Sequence, residues 1–397
     1  MILLVFLLAG ELFGAGGRSA GLFAAALYAI NPLMIRLVSG RIPDDPPHAV
    51  NVFFIALAVL LFAISARRNS RAYAAAAGFS IGLGTLCMSA VALLGLAVSL
   101  PLLLSLRGLR GAVRLLAVAF AAFIAAAVPW PLYCLSRWPE LWRHESALQV
   151  GHLFTALDGH AHSWWWYLKI LPVQYGGSAV FVWAALLAAL LYAARAAVRG
   201  RECGPAAVLC WVSIPYIFFS LIATKLYAYV CVATPGVCLL WGYAAASLWA
   251  ARDGRSRSLV LAALIVSGVY VGEVSVERWK ADYSVCPWST VYDYPAFRAV
   301  MLKLRGVPGA RVLLNVGDNK SPQAMYYSGA AAYPDAPQPA VVRGLLGRGY
   351  GVFILIEKEK GGSDVPSSLR TAEFYKKIYF IPLPSPVALE PRHPYEA

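Results

Sequence analysis

The chain has 397 residues, 60% of them hydrophobic and only 14% charged, which excludes an ordinary soluble protein; repeated apolar runs near bilayer length imply a polytopic helical membrane protein. The formal net charge of +14 does not point to nucleic acid, because the arginines cluster in short loops between apolar runs, as cytoplasmic loops do. Seven cysteines without paired spacing, mostly in or beside apolar runs, indicate neither a disulfide framework nor a zinc site.

In chain order, membrane spans are predicted at about residues 1–13, 19–38, 48–66, 73–88, 90–106, 112–134, 177–197, 205–223, 226–249 and 258–277. Met1-Ile2-Leu3-Leu4-Val5 carries no positive charge, so the first run does not read as a cleavable signal. When the spans are threaded alternately, the basic loops at Arg67/Arg68/Arg71, Arg107/Arg110/Arg114, Arg195/Arg199/Arg201 and Arg252/Arg255/Arg257 fall on one side, predicted to be the cytoplasm. The opposite side receives the Arg41–His48 loop, the long loop from about 135 to 176, the turn around Lys225 and everything after Gly272. No internal repeat is evident, and the spans are nearly free of the polar residues that a transporter pathway needs.

The long loop carries Trp138, Trp142, His144, His152, His160, His162 and the run Trp164-Trp165-Trp166-Tyr167, an aromatic cluster suited to the headgroup level. After Arg278 the texture changes: helices are predicted at 292–304, 322–327 and 338–346, and strands at 311–316, 350–356 and 375–381. The chain therefore divides into a transmembrane region at 1–278, a small α/β domain at 279–381 and an irregular tail at 382–397. The turn Asn315–Lys320 follows a strand, where α/β sheets bind ligands, but lacks phosphate-loop spacing.

Three groups of residues could carry chemistry. Lys225 has about twenty apolar residues on either side, so its ammonium either snorkels to the interface as an anchor or meets an anion there. Asp44 and Asp45 stand at the mouth of a span; adjacent carboxylates repel, which favours a raised proton affinity or a bound metal, while Asp-Asp-Pro-Pro also reads as a helix start. His160 and His162 precede the Trp/Tyr run, and two imidazoles alone seldom make a metal site.

The stretch Phe218–Tyr229, a serine-containing apolar helix, a Thr-Lys turn and then Tyr227 and Tyr229, continues apolar through Pro235 to Trp241. It resembles the K…Y…P segment of GT-C membrane glycosyltransferases of the aminoarabinose transferase and protein O-mannosyltransferase type, which take sugars from polyprenyl phosphates. The resemblance covers roughly residues 4 to 250 and is strongest at 211–241. It implies an all-α polytopic membrane bundle, GT-C-like, of about ten spans, with a small C-terminal extracytoplasmic α/β domain. Glycosyl transfer from a lipid phosphate needs a base for the acceptor and cations for the leaving phosphate. The resemblance places Asp44 or Asp45, following Arg41, at the catalytic step. Arg41, Lys225, Tyr227, Tyr229, His160 and His162 would contact substrate, and a divalent metal remains an option. The implied partners are a polyprenyl-phosphate sugar donor, membrane lipid, and a glycan, lipid or protein acceptor, with no nucleic acid; the implied location is the inner (plasma) membrane. Leu4–Ile30 looks like the family's second and third helices, so an opening helix and first catalytic loop are expected upstream of Met1. Met88 stands where the family often has a lysine. The alternative is a catalytically silent lipid-binding or assembly subunit derived from the same fold.

Overall fold

The structure is a computed structural model that describes residues 1–38, 46–156, 160–176, 179–199, 202–250, 258, 294–316, 321–333, 339–357 and 378–383. It divides into two compact units, Met1–Lys280 and Ala281–Ala397.

The first unit is helical: α1 Ile2–Phe13, α2 Gly17–Ala29, α3 Pro32–Val38, α4 Pro46–Arg68, α5 Arg71–Met88, α6 Leu94–Ala127, α7 Pro129–Arg137, α8 Pro139–Phe154, α9 Trp166–Gln174, α10 Ala179–Arg199, α11 Cys203–Leu221 and α12 Thr234–Ala250. Proline opens α3, α4, α7 and α8, where its missing N–H costs no helical hydrogen bond. Gly108 at φ 64° breaks α6 into two arms beside Arg107 and Arg110, a left-handed conformation that favours glycine. Small residues set the spacing between helices: a Cβ at Gly78 of α5 would collide with the Ala119 backbone of α6. The core between the helices is apolar, with Val5, Leu8, Ile55, Val59, Trp211 and Leu239 all buried.

Among the described residues, six helical stretches are long and apolar enough to cross a membrane: Ile2–Ala29, His48–Arg68, Val91–Arg137, Val180–Arg199, Cys203–Leu221 and Tyr229–Ala250. Against the roughly ten spans expected from sequence, the described residues thus hold six candidate stretches. The first stretch takes in both α1 and α2, of 12 and 13 residues, which pack along each other. At 1.5 Å per residue, each is only about 18–20 Å long, short of the roughly 30 Å hydrocarbon layer. Val91–Arg137 likewise merges two expected spans, and α5 is diluted by Arg71 and its Gly and Ser residues. The span expected at 258–277 lies, apart from Ser258, outside the described residues.

The two ends of this unit differ in chemistry. At one end, Arg67 Nε donates to the Glu11 carbonyl at 2.8 Å and pairs with its carboxylate at 3.5 Å. Arg107 reaches the carbonyls of Ala66 and, at 2.6 Å, Arg67, while Arg114 donates to Asn69 Oδ1 at 2.9 Å. The Tyr243 hydroxyl donates to Glu202 at 3.0 Å, and its ring stacks on Phe13 at 4.6 Å. Thus the loops at Arg67–Arg71 and Arg107–Arg114 meet, and Glu202, beside the Arg199–Arg201 loop, sits with the end of α1. The Arg252–Arg257 loop lies outside the described residues.

The second unit has a four-stranded parallel sheet in the order β2-β1-β3-β4, with β1 Arg311–Leu314, β2 Ala331–Ala332, β3 Gly351–Glu357 and β4 Ile378–Leu383. Helices Tyr294–Arg305, Ser321–Ser328 and Pro339–Gly347 accompany it, so the region is α/β as expected. The two-residue β2 carries too little pattern to be read from sequence. Phe297, Met301, Leu313 and Phe353 belong to one buried cluster and Val312, Val342 and Ile354 to another, as the alternation of a strand requires. Asn315 ends β1 at φ 59° and donates through Nδ2 to the Leu355 carbonyl at 2.8 Å. Residues 317–320 of the Asn315–Lys320 turn and residues 384–397 lie outside the described residues; residues 382 and 383, expected to open the irregular tail, end β4 instead.

Candidate functional site

At the end opposite the arginines, α11 stops at Leu221 and the chain runs through Lys225 and a turn at Tyr227–Ala228 to the short helical segment Tyr229–Ala233. Lys225 lies in this connection and is only 5% exposed, so it is not an anchor extended into the surroundings. Its ammonium donates to the Ile222 carbonyl at 2.6 Å, and among the described residues it makes no ion pair. An ammonium has three donors, so this one carbonyl leaves capacity for an anion. Burial holds its pKa below the ordinary lysine value, because a low-dielectric site penalises the charged form.

The long outer loop folds onto this connection. Ala223 N donates to Leu153 O, Thr224 N to His152 O and Lys225 N to His160 O, each at 3.1 Å. The Thr224 hydroxyl donates to the Thr155 carbonyl at 3.0 Å and lies 3.2 Å from His152 Nδ1. From α9, the Tyr167 hydroxyl donates to Leu226 O at 3.0 Å and Gln174 Nε2 to Tyr227 O at 3.2 Å. Asn31 Nδ2 donates in turn to the Gln174 carbonyl at 3.5 Å, and Asn31 Oδ1 accepts from Met34 N at 2.9 Å in the first turn of α3.

Aromatic rings form a continuous ladder beside the lysine. His162 stacks on Trp166 at 4.2 Å, Trp166 meets Tyr167 at 4.9 Å, Tyr167 meets Phe219 at 6.4 Å, Phe219 meets Tyr229 at 5.0 Å and Tyr229 meets His48 at 5.4 Å. These separations are those of ordinary aromatic pairs. The ladder runs from the outer loop to the first turns of α4, close in sequence to Asp44 and Asp45.

Of the residues singled out from sequence, Lys225, Tyr227, Tyr229, His160 and His162 are brought into one region. His160 takes part through its carbonyl, and the His162 ring is occupied in stacking. Arg41, Asp44 and Asp45 lie outside the described residues. No group of three or more His, Cys, Asp or Glu side chains is placed to hold a metal ion among the described residues. Sequence reasoning gave no site role to His48, Thr224, Tyr167, Gln174 or Asn31. Their signal was present in weak form: polar side chains inside or next to apolar helices, all but Tyr167 reading as loop or helix-end residues, and all five buried here.

Residues 1–131 match the family model described as dolichyl-phosphate-mannose-protein mannosyltransferase. The chain is 28% identical over 262 residues to an undecaprenyl phosphate-alpha-4-amino-4-deoxy-L-arabinose arabinosyl transferase 2 of Pseudomonas fluorescens, covering 65% of this chain and 46% of that protein. It is 32% identical over 248 residues to the corresponding transferase of Pseudomonas aeruginosa, covering 61% and 43%. The apo crystal structure of ArnT from Cupriavidus metallidurans superimposes with a TM-score of 0.59 at 13% identity, covering 88% of this chain and 71% of that one. In sequence over part of its length, and in fold, the chain is similar to GT-C membrane glycosyltransferases. With six candidate spans among the described residues and an ArnT-like helical bundle, it is a multi-pass membrane protein. The archaeal oligosaccharyltransferase AglB from Archaeoglobus fulgidus superimposes with a TM-score of 0.50 at 14% identity, covering 83% of this chain and 51% of that one. At such identities these two likenesses speak for the fold alone. The chain spans a little under half the length of the curated relatives it matches.

Proposed function

We propose that this chain is a polyprenyl-phosphate-dependent glycosyltransferase that moves a sugar to a glycan, lipid or protein acceptor on the extracytoplasmic face of the bacterial inner membrane. The arabinosyl transferases it resembles carry undecaprenyl phosphate in their names, which makes an undecaprenyl-phosphate sugar the donor of choice. The observation that carries the reading is Lys225: a buried ammonium with one carbonyl partner, at the end of two apolar helices and away from the arginine-rich end.

In this reading the acceptor oxygen or nitrogen attacks the anomeric carbon while the bond from that carbon to the phosphate oxygen breaks. The leaving polyprenyl phosphate gains negative charge, and the Lys225 ammonium stabilises it where water is scarce. Asp44 or Asp45, following Arg41, takes the acceptor's proton. Tyr227 and Tyr229 flank the phosphate, and His160 and His162 hold the outer loop against the donor. The α/β region lies on the same extracytoplasmic side, and the arginine-rich end faces the cytoplasm.

The test is to reconstitute the chain in nanodiscs, titrate undecaprenyl phosphate, and follow sugar release from an undecaprenyl-phosphate sugar. Binding with transfer supports the enzyme. Binding without transfer assigns the chain to a lipid-binding subunit of the same fold, and absence of binding contradicts both.

A further inference from the structure

The connection carrying Lys225 is gripped residue by residue. The outer loop holds the amides of residues 223, 224 and 225, and α9 holds the carbonyls of residues 226 and 227 through the Tyr167 hydroxyl and Gln174 Nε2. Both α9 side chains are fully buried. The ammonium itself folds back onto the Ile222 carbonyl within the same connection, so its direction follows the local backbone. A lysine stem is flexible and its charge is a point, so a fixed backbone is what would give it a defined place.

We propose that Tyr167 and Gln174 are positioning residues for the Lys225 ammonium, a role that rests on the reading of Lys225 as the donor-phosphate cation. Neither touches the phosphate. Each binds a carbonyl immediately beyond Lys225: Tyr167 that of Leu226, which also accepts from the Tyr229 amide at 3.2 Å, and Gln174 that of Tyr227. Gln174 also joins two parts of the site: its side chain holds Tyr227, while its own carbonyl accepts from Asn31, the residue that caps α3. Gln174 thus links the Lys225 connection to the first turn of α3.

The probe is undecaprenyl phosphate titrated into the full chain in nanodiscs. Tyr167→Phe removes one oxygen and leaves the ring ladder intact; Gln174→Met keeps the length and removes the donor. Each should weaken lipid binding about two- to ten-fold, the worth of one hydrogen bond. The decisive arm repeats Tyr167→Phe in a Lys225→Ala background, at correspondingly higher lipid. There it should change affinity no further, because the group it positions is gone. A merely structural tyrosine would weaken binding equally in both backgrounds, and that result overturns the proposal, as does wild-type affinity in Tyr167→Phe and Gln174→Met. If Lys225→Ala itself binds like the wild type, the phosphate reading fails and the positioning role with it; if only Lys225→Ala weakens binding, the positioning role fails alone.

Discussion

The backbone amide of Lys225 donates to the carbonyl of His160 at 3.1 Å, which joins the buried cation between two apolar helices to the aromatic outer loop. Two parts of the chain far apart in sequence thereby make one site, and the site lies at the end of the bundle away from Arg67, Arg107 and Arg114.

That separation predicts the membrane orientation. Reporter fusions at Arg68, Arg110 and Arg199 should report cytoplasm, and fusions at Gly159 and after Arg305 the outside. A cytoplasmic report from Gly159 would put the Lys225 site on the wrong face for an extracytoplasmic transferase.

The carboxylates should separate binding from chemistry. Asp44→Asn and Asp45→Asn each keep the size of the side chain, and the one that removes the base should lower transfer by about 10²-fold or more. Undecaprenyl phosphate affinity should stay within about three-fold. Full activity in both single variants and in the double variant would remove these residues from the reaction.

The buried ammonium makes the site pH-sensitive in a definite direction. Lys225 releases its proton below the ordinary lysine value of 10.5 because burial disfavours the charge. Phosphate binding needs the ammonium, so affinity should fall as pH rises through that lowered pKa. The stability of the lipid-free protein changes oppositely: between the folded and unfolded pKa values the unfolded chain binds more protons, so this group raises stability as pH rises. Titrations below pH 10.5 should therefore show weakening with rising pH in the wild type and none in Lys225→Arg, whose charge does not titrate there. Parallel curves for the two proteins would refute the assignment.

Two glycines test the packing. Gly78→Ala places a methyl group against the Ala119 backbone and should cost about 1–3 kcal/mol of stability by overpacking α5 against α6. Gly10→Ala in α1 meets nothing within 4 Å and should stabilise by a few tenths to about 1 kcal/mol. Melting temperatures in detergent should move in opposite directions; equal shifts would contradict the α5–α6 contact.

Much of this was legible in the sequence, for physical reasons. Apolar runs of bilayer length announce helices, and Arg67, Arg107 and Arg114 announce one end because charge stays out of lipid. Lys225 was visible because an isolated charge between apolar helices is costly and therefore conspicuous. The number of crossings was less legible: α1 and α2 are each too short to cross alone, and the sequence does not reveal which apolar runs pair as hairpins. Tyr167, Gln174 and Asn31 were missed because their role consists of hydrogen bonds to carbonyls remote in sequence, and no spacing encodes these. The short strand Ala331–Ala332 exists only through its pairing with Val312 and Leu313.

The most direct measurement is the affinity of undecaprenyl phosphate for wild type, Lys225→Arg and Lys225→Ala in nanodiscs, with melting temperature followed in parallel. A charge-assisted contact of about 1.5–3 kcal/mol makes Lys225→Ala bind roughly ten-fold or more weakly, with Lys225→Arg between it and the wild type and all three proteins folded. Equal affinity for wild type and Lys225→Ala would contradict the phosphate role and leave Lys225 as a lysine that ties off the end of α11.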